Sequence, residues 1–67
     1  MIKVGQIYKT PEGIGVIYNH NDYQPFVDIL SKYGLGIYTH KYVEEKCQLI
    51  AEYSTWQEAV NSKEFKG

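Results

Sequence analysis

Apolar residues come in short bursts along this chain, and most bursts alternate with polar positions, the period of two of a β-strand. Residues 4–9 form the first predicted strand. Thr10-Pro11-Glu12-Gly13 then makes a turn, because proline presets one turn position and glycine accepts a positive φ. Residues 14–18 form the second strand, with Gly13 and Gly15 around Ile14 suggesting a bulge or a close backbone crossing. Asn19-His20-Asn21-Asp22 is a polar turn. Residues 24–30 form the third strand, with Val27 and Ile29 on one face and Phe26, Asp28 and Leu30 on the other. Both faces are partly apolar, which places this strand centrally or in a closed barrel. After a turn at Ser31-Lys32-Tyr33-Gly34, residues 35–42 form the fourth strand. It sets Leu35, Ile37 and Thr39 on one face and Tyr38, His40 and Tyr42 on the other. Residues 43–46 make a short helical turn, and residues 47–53 the fifth strand, where Cys47, Leu49, Ala51 and Tyr53 share a face.

The period then changes. Thr55 and Glu58 have the spacing of a capping box, and Trp56, Ala59 and Val60 fall on one side of a helix over residues 55–63. So short a helix is marginal alone and must dock, with Trp56 packing it onto the sheet or over a barrel opening. The fold class is mainly β: a small five-stranded twisted barrel or sheet with a short C-terminal α-helix. Residues 1–67 make a single domain, with no linker, low-complexity tract or internal repeat.

Size and charge narrow the function. A chain of 67 residues has a small core, and an enclosed catalytic cleft competes with that core for residues. All seven basic residues are lysine and the net charge is −1. Without arginine's bidentate fork and without net positive charge, nucleic-acid binding is disfavoured. One cysteine permits no internal disulfide and suits a reducing compartment. With no membrane-length apolar run and no signal-peptide pattern, the expected location is the cytoplasm.

Candidate chemistry is sparse. His20, His40 and Cys47 lack the close ligand spacing of a zinc site, and Cys47 fits better as a small buried hydrophobe. Glu44 and Glu45 are adjacent on a turn and cannot face one another across a substrate. Gly13-Ile14-Gly15 and Gly34-Leu35-Gly36 lack phosphate-loop spacing and are turn or bulge glycines. No catalytic residue, metal or cofactor is expected, and the chain is not expected to be an enzyme. The best binding candidate is the aromatic stripe Tyr38, His40 and Tyr42, joined by Tyr18 and His20, with Asn21 and Tyr33 from loops. The competing expectation is that this face seats the C-terminal helix. Asp28, on a strand face with Phe26 and Leu30, is either paired across the sheet or a polar anchor in a ligand site.

Two stretches carry a resemblance. Val4-Gly5-Gln6-Ile7-Tyr8, Gly15-Val16-Ile17 and Phe26-Val27-Asp28-Ile29-Leu30 resemble Src-homology-like and Tudor-like small barrels. The ending from Leu49 to Phe65 is similar to the endings of small phage and prophage proteins of Gram-positive bacteria. The second resemblance implies an accessory protein without catalytic activity. Such a protein would bind a host protein or small ligand, including a nucleotide-derived immune signal. Homo-oligomers fit, because sheet edges and aromatic faces invite symmetric pairing. The alternative is a small-barrel protein that binds single-stranded nucleic acid through Lys3, Lys9, Lys32 and Lys41 with stacking tyrosines.

Overall fold

The computed structural model describes residues Met1–Gly67. Five antiparallel strands form one sheet: β1 (Gln6–Thr10), β2 (Gly13–His20), β3 (Phe26–Ser31), β4 (Gly34–Thr39) and β5 (Gln48–Glu52). Their order is β4-β3-β2-β1-β5, so the first four strands run as a meander and β5 returns beside β1. The sheet is mainly β, as expected, but it is open: β4 and β5 are edges and no barrel closes. Three short helices complete the chain: α1 (His40–Lys46), α2 (Trp56–Val60) and α3 (Lys63–Lys66).

Each face of the sheet has its own core. Ile2, Tyr8, Ile17, Val27, Ile29 and Val43 cluster on the face covered by α1 and the N-terminal segment. Ile7, Val16 and Ala59 cluster on the face covered by α2 and α3, with Trp56, Val60 and Phe65 packed around them. Alternation along β1 and β2 feeds both clusters, which is why these strands are apolar on both sides without a barrel.

The fourth strand is shorter than its residue pattern suggests. Thr39 has extended backbone, and its hydroxyl accepts from the Tyr42 amide at 3.0 Å, which makes it the N-cap of α1. His40 is therefore the first residue of a helix, and its amide donates to the Pro25 carbonyl at 2.9 Å. Val43 then reaches the sheet and is fully buried. The predicted C-terminal helix is also divided. Thr55 caps α2 as expected, accepting from the Glu58 amide at 3.1 Å. Ser62 interrupts the run, donating to the Ala59 carbonyl at 2.6 Å and accepting from the Phe65 amide at 3.3 Å.

Two bulges break the simple alternation. Ile7 pairs with Ala51 and Tyr8 with Leu49, so Ile50 is an extra residue in β5. Ala51 and Tyr53 thus join the α2 side while Cys47 joins the α1 side, which corrects the single face expected for these residues. Tyr18 is likewise the extra residue between the Ile17–Ile29 and Asn19–Asp28 pairs, and β2 continues through His20 rather than turning at Asn19.

A repetition absent from the sequence reading emerges in the hairpins. Thr10-Pro11-Glu12-Gly13-Ile14-Gly15 and Ser31-Lys32-Tyr33-Gly34-Leu35-Gly36 build the same turn. Thr10 Oγ1 accepts from the Glu12 amide at 3.1 Å and donates to the Gly13 carbonyl at 2.8 Å. Ser31 Oγ accepts from the Tyr33 amide at 3.2 Å and donates to the Gly34 carbonyl at 3.3 Å. Gly13 and Gly34 close the turns at φ 132° and 111°, a region that side chains with a Cβ rarely enter. The register then makes Ile7, Lys9, Ile14 and Val16 of the first hairpin equivalent to Asp28, Leu30, Leu35 and Ile37 of the second.

Candidate functional site

The predicted binding residues fall in three places. Tyr38 lies on β4 and Tyr42 on α1, and their rings stack at 5.5 Å and 26°. Tyr38 Oη donates to Glu12 Oε1 at 2.9 Å, and this bond pushes the phenol above its ordinary 10.0. The helix start at Thr39 removes His40 and Tyr42 from the strand, so the expected stripe is replaced by a strand-to-helix corner. The C-terminal helices do not cover it; they occupy the other face.

His20 and His40 meet beside this corner, their rings tilted at 43° with centroids 4.7 Å apart. His20 Nε2 lies 2.9 Å from Asp22 Oδ1, while His20 Nδ1 and His40 Nε2 are buried without a hydrogen-bond partner. Asn21 accepts from the Tyr23 amide at 2.8 Å and fixes the loop. No serine or cysteine hydroxyl or thiol bonds to either imidazole, so the pair lacks the geometry of an activated nucleophile. Cys47 packs against the α1-side core, and burial pushes its thiol up from the ordinary 9.0, away from the reactive thiolate. No three histidine, cysteine, aspartate or glutamate side chains gather as a metal site.

Tyr18 and Asp28 lie on the opposite face. Tyr18 tilts against Trp56 at 4.8 Å and 57°, seating the C-terminal helix as the tryptophan required. Asp28 has only a long 3.5 Å contact from Asn19 Nδ2 and makes no ion pair. Tyr33 stands at the β3–β4 turn, with the Lys32 ammonium 5.2 Å above its ring.

What the sequence reading missed is the surface around Asp28. The α2 and α3 helices pack on β1 and β2, leaving the same face of β3 and β4 open. Phe26 is 50% exposed, Leu35 58% and Ile37 73%, whereas Val16, the equivalent of Ile37, is 0% exposed. Asp28 and Ile37 are direct cross-strand partners at the centre of this surface. The adjoining edge strand β4, Gly34 to Thr39, carries no charge, proline or bulge. These are the devices that usually guard a free edge. The repeated hydroxyl-x-x-Gly-apolar-Gly pattern was the sequence signal for it.

A second feature lies between the two turns. A cleft of about 310 Å³ is bounded by Glu12, Lys32, Tyr33, Phe65 and Lys66. It shares Glu12 and Tyr33 with a smaller groove of about 150 Å³ that runs toward Tyr38.

The class that the fold and surface define is a five-stranded open sheet with a helix-covered half and a bare half. No family model, curated protein or solved structure matches the chain. No helix is long and apolar enough to cross a membrane.

Proposed function

We propose that this chain is a non-catalytic binding module, a phage-type accessory protein that captures a protein of the host cytoplasm. One observation carries the reading: the bare half-face of Phe26, Leu35 and Ile37 beside the uncharged edge β4. Isolated exposed apolar residues are common, but neighbouring ones across two strands form a patch of the kind that marks protein contact sites. Native mass spectrometry of the tagged protein from Gram-positive host cells tests this. A partner retained by the native chain and released by Ile37→Lys is the expected result. Free protein in both samples, or turnover of a substrate, overturns it.

A small-ligand reading has its own support in the cleft between the turns. Two ammonium groups, Lys32 and Lys66, and two rings, Tyr33 and Phe65, border a space at the lower end of ligand-pocket size. With the two ammonium groups set against the Glu12 carboxylate, such a set suits a planar anion of the nucleotide class, held without turnover. The same spectra test it, through a retained ultraviolet-absorbing molecule lost in Lys32→Glu.

A further inference from the structure

The geometry points to a particular occupant for the bare half-face: an amphipathic helix of a partner protein, with one basic side chain set in its apolar stripe to meet Asp28. The inference rests on the protein-binding reading and deepens it.

The molecule shows how it covers a face of this design. Over the first hairpin, α2 lays Ala59 against Ile7 and Val16, and all three are fully buried. The second hairpin presents the same positions, with Leu35 and Ile37 apolar as Ile14 and Val16 are. Two positions change character: Leu30 stands where the first hairpin has the exposed Lys9, and Asp28 stands where it has Ile7. A helix docked as α2 docks therefore covers three apolar side chains and one carboxylate.

That carboxylate selects the partner. Asp28 is half-buried, and the sole hydrogen bond to its carboxylate is the 3.5 Å approach of Asn19 Nδ2. Covering it with an apolar stripe would strand a charge, which costs far more than the apolar contact returns. A lysine or arginine in the stripe converts that penalty into a charge-assisted hydrogen bond. A second copy of this chain, packed face to face, sets Asp28 against its own equivalent. Like charges meeting in a desolvated seam oppose that pairing.

Photocrosslinking in a Gram-positive host tests the inference, with Ile37→p-benzoylphenylalanine as the probe and mass spectrometry to read the captured peptide. The expected peptide comes from a helical segment of another protein, with a lysine or arginine among its apolar positions. Asp28→Lys is expected to lower the yield about tenfold or more, as charge reversal at a covered pair does. Changing the partner's basic residue to glutamate restores it. Asp28→Asn, which keeps the side chain's shape, gives a smaller loss and guards against a folding artefact. Capture of a second copy, of an extended segment, or of a peptide indifferent to Asp28→Lys overturns the helix inference alone. So does a partner seen in native spectra that position 37 never captures. Absence of any partner removes the binding-module reading as well.

Discussion

The two hairpins of this protein share a turn, a glycine pattern and a row of apolar side chains, yet one is buried and the other bare. Val16 lies under α2 and Ile37 lies in water. Asp28 in place of Ile7 marks the second hairpin as the harder one to cover, but the shared apolar row does not set the difference in burial. That difference follows from where the C-terminal segment lands, because α2 and α3 reach β1 and β2 and leave the outer pair of strands open. Similar sequence therefore contributes stability in one half of this face and surface in the other.

The sharpest test of that comparison places the same residue at both positions. Val16→Lys puts an unpaired ammonium into a closed core, and the cost rivals the roughly 5–15 kcal/mol that holds a small domain together. Loss of dispersed amide signals in NMR spectra is the expected outcome. Ile37→Lys sits in solvent opposite Asp28, and thermal unfolding should register a change within about 0.5 kcal/mol.

The inner glycines sharpen it next. A Cβ on Gly15 would run into Ile29 Cγ2, held in the core, whereas one on Gly36 would lie 3.0 Å from Tyr38 Cε1, a milder clash with a half-buried ring. Gly15→Ala should cost about 1–3 kcal/mol in denaturant unfolding, as overpacking does. Gly36→Ala should cost clearly less. The turn glycines are expected to behave alike, since Gly13 and Gly34 both have positive φ and open space around them. Each Ala substitution should cost about 1–3 kcal/mol from backbone strain alone. Unequal costs would show that the two turns are not one design.

The smallest effect concerns how the covering helices are held. Tyr53 Oη donates to Glu64 Oε1 at 2.5 Å, tying α3 to the segment after β5. That bond holds the Glu64 carboxyl below its ordinary 4.5 and raises the Tyr53 phenol above its ordinary 10.0. A carboxyl lowered by folding stabilises the folded form above its ordinary range and loses that contribution as pH falls through the lowered value. The α3 amides should therefore exchange faster with solvent in acid, in a step that Glu64→Gln removes. The α1 amides, which the Tyr53–Glu64 bond does not touch, should show no step that Glu64→Gln removes.

Much of the fold was legible in the residues. Alternation located all five strands, and Thr55 with Glu58 located the start of α2, because these signals depend on neighbours a few positions apart. The helix beginning at His40 escaped, since the alternation of Tyr38, His40 and Tyr42 continues past the Thr39 cap and fits a strand as well. Of the candidate site, Tyr38 and Tyr42 do meet, and so do His20 and His40, but as one stacked and one tilted pair at a corner. Asp28 gained its meaning only when its neighbours proved uncovered.

By itself the sequence determined the strand-forming segments, the two hydroxyl–glycine turns, the caps and the shortage of reactive groups, all properties of short stretches of chain. Tertiary structure alone decided the strand order, the bulges at Tyr18 and Ile50 that reassign faces, and which of two matching hairpins receives the helices. Those outcomes depend on packing between distant segments. Two apolar faces of like design compete there for one short C-terminal cover, and it reaches only the nearer.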